Sequence, residues 1–441
     1  MIELVVLGLF VLALLGCVVC GVSVLPALVL GFFLFFGYGL YKGCGFRAVG
    51  AMALSGVRTV KNILVIVFFI GAITALWRSC GTIPYIVSLA VDLFDPRFMV
   101  LISFLLCTVL SVLTGTAFGT AATMGVICMT VANGMGVNPL FTGGAIMAGS
   151  YFGDRCSPMS TSALLICSLT ETDIYRNIGK IARTGLVPFL LSCVVYVLLG
   201  LGAQGSGAAV DVRAIFSAAF SLRPVLLLPA AAIVVLALLR VSPRIAMGVS
   251  ILAAAALAVV VQGLTVPELL RDMVLGFRTD HAELAALLSG GGILSMAKVF
   301  CIICISATYS GMFNGTGLLD GFRGALTRLG ERILPFGSIL LTAALTNMVA
   351  CNQTLAIMLT EQLCTDAEPD REKMAIALEN TAVVLAPLVP WSIACSVTTT
   401  SSNAPAASVL TACFLWLVPA WNYIMAVVKH KSCCERKGET K

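Results

Sequence analysis

The chain has 441 residues, 59% of them hydrophobic and only 11% charged, with 27 basic against 21 acidic side chains. A soluble domain carries about a quarter of its residues charged, so that class is excluded. The net charge of +6 sits in short loops and the tail, where membrane topology uses it, and is no footprint for a nucleic acid.

Apolar runs of roughly 17–25 residues, long enough to cross a bilayer core as helices, recur from one end to the other. The expected fold is therefore an all-α polytopic membrane protein with about 10–12 transmembrane helices in the lipid bilayer, not a β-barrel. The first run, residues 4–20, lacks the basic flank of a secretory signal and is expected to stay as a helix. Lys42, Arg47, Arg58 and Lys61 follow the second run, and Lys429, Lys431, Arg436 and Lys437 follow the last. By the positive-inside rule both ends should be cytoplasmic. The expected organisation is 1–42 N-terminal helices, 43–204 a first repeat, 205–262 a linker with connecting helices, 263–428 a second repeat, and 429–441 a tail.

The repeat rests on three pairs of small-residue breaks in one order. Gly81-Thr82 pairs with Gly315-Thr316, LTGTAFGT at 113–120 with LTNMVACNQT at 345–354, and Ser157-Pro158 with Ala386-Pro387. Duplicated halves with interrupted hydrophobic segments mark secondary transporters, whose sites lie where broken helices expose backbone groups.

Two stretches concentrate polar chemistry. In GSYFGDRCSPMSTS the acid Asp154 and the base Arg155 precede Ser157, Pro158, Ser160, Thr161 and Ser162. Pro158 removes a backbone donor and disfavours helical geometry at Ser157, so a helix should break beside a protonatable acid and several hydroxyls. In ALENTAVVLAPLVPWS, Glu379, Asn380 and Thr381 precede the breaks at Pro387 and Pro390. An acid inside a membrane segment is a functional candidate by default. Thr116 and Thr120 in one half, and Asn352 and Gln353 in the other, add neutral ligands. Arg78, Arg155 and Lys298 are the cations that could meet a substrate carboxylate.

The seventeen cysteines lie mostly in apolar runs, and both C-x-x-C pairs (Cys17/Cys20 and Cys301/Cys304) place small side chains on one helix face. They read as packing residues rather than a metal site. No phosphate-binding G-x-x-x-x-G-K-[ST] loop occurs, and His281 and His430 lie away from the breaks. No enzyme and no cofactor are expected; transport must draw on a gradient.

The stretches GTAFGTAATMGV, GGAIMAGSYFGDRCSPMS, GGGILSMA and LENTAVVLAPLVPWS together resemble the NhaC family of sodium/proton antiporters, within the larger ion-transporter group, from about Pro26 to about residue 425. The resemblance implies two inverted repeats with discontinuous helices, and exchange of sodium for protons. Some members of that family couple these ions to organic acids such as malate and lactate. Where members often carry Asp after S-P-x-S, in L-E-D and in G-D-Q, this chain has Thr161, Asn380 and Asn352, and Ser392 replaces the usual Asn after Pro-Trp. Asp154 and Glu379 remain. The expected protein is thus a sodium/proton antiporter of the cytoplasmic (inner) membrane, working by alternating access, with sodium and protons as coupling ions and a homodimer as a compatible assembly. The alternative is a sodium- or proton-coupled carrier of a small organic acid or amino acid.

Overall fold

The computed structural model describes residues 2–20, 22–93, 95–202, 212–239, 241–281, 284–285, 288–318 and 334–438. Regular structure within them is helical apart from one isolated antiparallel bridge, Phe277 to Gly290. The expected boundary near residue 204 and the end of the tail lie outside the described residues. Among the described residues four helices are long and apolar enough to cross a membrane: Pro96–Thr114, Ala117–Gly134, Ile174–Gly202 and Ile293–Phe313. Two bent pairs reach that length together, and five shorter apolar helices accompany them.

The N-terminal helices are α1 (Ile2–Val19), α2 (Leu25–Tyr41) and α3 (Phe46–Thr59). Then come α4 (Lys61–Ser79), α5 (Thr82–Leu93), α6 (Met99–Thr114), α7 (Ala117–Thr120) and α8 (Val126–Gly134), with a π-helical turn at Ala121–Gly125. The first half closes with α9 (Pro139–Cys156), α10 (Thr161–Thr170) and α11 (Ile174–Gly202). Connecting helices are α12 (Val212–Ala219), α13 (Leu228–Leu238), α14 (Pro243–Val260) and α15 (Val266–Leu275). The second half holds α16 (Ala297–Thr316), α17 (Pro335–Ala350), α18 (Gln353–Cys364), α19 (Arg371–Asn380), α20 (Ala382–Leu385) and α21 (Ile393–Ser402), before α22 (Cys413–Gly438).

Polarity is arranged for a bilayer rather than for water. On α11 the inner stripe is Asn177, Ile181, Gly185, Pro188, Ser192 and Tyr196. Its outer face exposes Leu186, Leu190, Val194, Leu198 and Leu201. A lipid-facing helix can show Leu outward at no cost, while its polar side chains must find partners inside the bundle. Tyr196 does so, donating to Thr411 O at 3.2 Å.

The two halves repeat one backbone pattern. Lys61, Met99 and Gly115 correspond to Ala297, Pro335 and Cys351, each 236 residues later. Asn138, Ser157, Ser160 and Glu171 correspond to Asp370, Val389, Ser392 and Asn403, each 232 residues later. Gly115 (φ 65°) and Cys351 (φ 55°) are left-handed, and each precedes an extended residue, Thr116 (φ −141°, ψ 121°) or Asn352 (φ −136°, ψ 121°). The side chain of that residue then caps the next helix. Glu171 (φ 53°) and Asn403 (φ 56°) end α10 and α21 in the same way. Left-handed geometry at a non-glycine residue is uncommon, so its recurrence at matching places is specific.

The breaks themselves pair differently from the sequence expectation. Ser157-Pro158-Met159-Ser160 matches Val389-Pro390-Trp391-Ser392, so Pro390, not Pro387, is the counterpart of Pro158. Pro387 lies inside a short 3-10 turn, Ala386–Leu388, where the chain still coils. The first pair is also shifted: Gly81 (φ 85°) matches Gly317 (φ 62°), not Gly315.

Candidate functional site

Both halves build a hairpin and a broken helix. α6 folds back on α7 and α8 around the tip at Gly115-Thr116, and α17 folds back on α18 around Cys351-Asn352. Hydroxyl pairs tie each hairpin across its arms, Thr114 to Thr120 at 3.4 Å and Thr346 to Thr360 at 2.8 Å. Each tip lies on its own half's break. Ile393 N–H donates to Cys351 O at 2.9 Å, Trp391 Nε1–H donates to Met348 O at 2.8 Å, and a Cβ on Gly115 would come within 2.6 Å of the Met159 carbonyl carbon.

Where the two tips and the two breaks converge there is a cavity of about 300 Å³. Its walls include Gly115, Thr116, Thr161, Ser162, Asn352 and Gln353, with Ile393 and Ala394 opposite. Five helices therefore begin at this cavity: α7, α10, α14, α18 and α21. The start of a helix has unpaired N–H groups and a partial positive charge, which suits a polar occupant.

Asp154 lies just behind two of these walls and is 5% exposed. Its Oδ1 accepts from Ser160 Oγ at 3.0 Å; its Oδ2 accepts from Ser162 Oγ at 3.0 Å and from Gln353 Nε2 at 2.9 Å. Gln353 comes from the other half, so the carboxylate joins the halves directly. Ser160 acts twice, because its oxygen also caps α10 by accepting from the N–H groups of Ser162 and Ala163. The helix break thus turns two hydroxyls back onto the acid six and eight residues earlier.

Arg155 points away from Asp154 and is fully buried. Its Nε donates to Asn380 Oδ1 at 3.2 Å, and its Nη2 donates to Asn380 Oδ1, to Ile181 O at 3.1 Å and to Thr184 Oγ1 at 3.1 Å. Gly185 opens the space, since a Cβ there would sit 2.5 Å from Nη1. Each hydrogen-bond acceptor around this guanidinium is neutral. Glu379, beside Asn380, is 2% exposed, and its Oε2 is buried with no hydrogen-bond partner. Asp154 and Glu379 are not equivalent under the repeat: Asp154 corresponds to Ala386, and Glu379 to Met147.

The remaining expected site residues divide. Thr116, Thr161, Ser162, Asn352 and Gln353 line the cavity. Ser157 is buried and accepts from the Met159 N–H. Thr120 and Thr381 donate to the carbonyls of Thr116 and Ala377, each one turn earlier on the chain, so their hydroxyls serve the backbone. Arg78 is buried away from the cavity, with Nη1 donating to Thr74 O at 2.7 Å, and Lys298 is exposed on α16. The cation that does line the cavity is Arg244, at the start of α14. It stands in the connecting region, outside both repeats, where no break or motif drew notice. Among the described residues no group of three His, Cys, Asp or Glu could hold a metal ion.

A family model described as the Na+/H+ antiporter family matches residues 1–173 and 149–428. The chain is 25% identical over 404 residues to a malate-2H(+)/Na(+)-lactate antiporter of Bacillus subtilis (strain 168), covering 88% of this chain and 86% of that one. It is 24% identical over 367 residues to the Na(+)/H(+) antiporter NhaC of Alkalihalophilus pseudofirmus, covering 81% and 79%. An arginine/ornithine antiporter, ArcD, of Halobacterium salinarum is 24% identical over 342 residues, covering 74% and 70%.

Proposed function

The chain belongs to the Na+/H+ antiporter family, and from that premise we infer that it binds its ion at Asp154, where sodium and a proton exclude one another. The observation that carries this reading is the shell around Asp154: a buried carboxylate held by two hydroxyls and an amide, two of which are also cavity walls. A desodiated carboxylate keeps these donors. A cation arriving from the cavity binds the carboxylate as the two hydroxyls rotate their hydrogens away and offer their oxygens, and the Gln353 amide turns to present its oxygen. A proton on the carboxyl removes the charge that holds the cation. Thr161 and Asn352 supply further oxygens on the cavity wall. Glu379 is the second protonatable group of the site.

Alternating access requires the cavity to open to each side in turn. Contacts at the two ends support an inverted relation between the halves. The end of α10 pairs with the start of α19 through Glu171 and Arg371, and the stretch after α21 returns to the start of α9, where Thr411 Oγ1 donates to Leu140 O at 2.8 Å. The two broken elements then run in opposite directions past one site. The cytoplasmic membrane, with both termini inside, and a homodimeric assembly complete the reading.

A second reading is favoured by the size of the cavity. A volume of about 300 Å³ is far more than one ion needs, and is at the lower end of organic-ligand pockets. Arg244 and five helix starts would receive a carboxylate there, with sodium at Asp154. The test is purified protein in liposomes with a lumenal pH dye. Sodium, lithium or potassium is added first alone and then with a small carboxylate. Cation-driven proton movement without any organic solute supports the first reading; movement only with the carboxylate supports the second.

A further inference from the structure

Three charged side chains are buried at the junction of α9 and α19: Asp154, Arg155 and Glu379. They belong to one buried cluster, since Asp154 and Arg155 are neighbours in the chain and Arg155 bonds Asn380, the residue next to Glu379. Arg155 cannot lose its proton in a protein, so it contributes a fixed +1. We propose that Arg155 sets the exchange stoichiometry: the cluster is neutral with a single monovalent cation aboard, so one sodium exchanges for one proton and no net charge crosses the membrane.

With both acids ionised the cluster carries one net negative charge. A single sodium ion or a single proton cancels it, whichever of the two carboxyls holds it. Moving an uncompensated charge through a low-dielectric interior costs several kcal/mol, so the two loaded forms reorient and the empty form does not. Strict coupling follows from the same count. The neutrality of Asn380 is essential, because an acid there would return the cluster to a second negative charge. The neighbouring elements add nothing to the sum. Tyr151 and Cys156 on α9 and Cys395 on α21 are a phenol and thiols, uncharged at neutral pH at their ordinary values. Glu171, Lys180, Arg371 and Glu372, at the outer end of α10, α11 and α19, are exposed or half-exposed, and Arg244 at the cavity is exposed.

This rests on the antiport reading, and the experiment separates the two. Full-length protein in liposomes is given a roughly tenfold sodium gradient, and the opposing pH gradient that halts proton movement is found with the membrane potential clamped at zero and at about −100 mV. The expected null is a pH difference of about one unit at both voltages, since each pH unit is a factor of ten. Exchange of two protons per sodium moves one net charge; the null would then be about half a pH unit at zero potential and would move by about 0.85 unit at about −100 mV, a roughly 50-fold effect shared by two protons. That result overturns the proposal and leaves antiport standing. Absence of any sodium-driven proton movement overturns both. In Asn380→Asp the cluster needs two monovalent cations for neutrality, so its sodium dependence should turn from hyperbolic to cooperative while the null stays voltage-insensitive. A folded, active N380D that keeps a hyperbolic sodium dependence would overturn the role given to Arg155. The wild-type null decides the stoichiometry whether or not this variant assembles.

Discussion

Removing the Ser162 hydroxyl probes the Asp154 shell with the least disturbance, because Ser162 is a small side chain on the cavity wall. In Ser162→Ala the carboxylate loses one of its three donors, the one at 3.0 Å on Oδ2. A hydrogen bond to a charged group contributes about 1.5–3 kcal/mol, and a factor of ten is about 1.4 kcal/mol. Half-saturating sodium should therefore rise by about 10- to 100-fold at fixed pH. The assay is sodium-driven proton movement in liposomes, repeated one pH unit higher. If proton competition is the cause, the defect shrinks by about tenfold there; if the lost oxygen ligand is the cause, it stays. Ser162→Thr keeps the hydroxyl and should remain close to wild type. A half-saturation within about twofold of wild type in Ser162→Ala would refute the claim that this shell holds the ion, since twofold is far below one charged hydrogen bond.

Other consequences follow from the same geometry. Gly115→Ala forces a Cβ into left-handed backbone, at about 1–2 kcal/mol, and against the Met159 carbonyl carbon; both the melting temperature in detergent and transport should fall, whereas Gly43→Ala, left-handed but with open space around it, should lower the melting temperature alone. Asn380→Ala strips Arg155 of the acceptor for Nε and of one of the three for Nη2, and a hydrogen bond to a charged group contributes about 1.5–3 kcal/mol, so thermal stability should drop while Asn380→Asp retains it. At the exposed start of α15, the Thr265 backbone N–H and then its hydroxyl hold the Glu268 carboxyl below its usual range. A depressed value means that this capping box is fully formed above the unfolded value near 4.5 and is lost as pH falls through the folded one. Amide protection over Val266–Leu275, relative to the intrinsic exchange rate at each pH, should therefore fall on acidification, and Glu268→Ala should remove that dependence.

The membrane class, the breaks and the acid beside them were legible because each is a local chemical contrast: Asp154 and Pro158 stand out in an apolar run. The partnership of Asp154 with Gln353 was only half visible, since both were expected ligands but nothing local brings residues from different halves together. Thr120 and Thr381 looked like ligands because composition does not say whether a hydroxyl faces a cavity or bonds back one turn along its own helix. Arg244 was missed for the opposite reason, being an ordinary helix-start arginine whose importance comes from where α14 packs. Pro387 drew the repeat out of register because a proline tolerated in a 3-10 turn reads the same as one that ends a helix. Of the two left-handed residues that fix the register, Asn403 is of a type that often ends a helix this way, whereas Glu171 has no marked sequence signal.

The central claim is that one buried carboxylate, Asp154, carries sodium and proton in turn. Calorimetric titration of the purified protein with sodium, in buffers of different ionisation enthalpy, counts the protons released per ion bound. The account predicts release on binding in the wild type, weaker at high pH, and neither binding nor release in Asp154→Asn. Sodium binding with undiminished proton release in Asp154→Asn would contradict it and move the site elsewhere in the cavity.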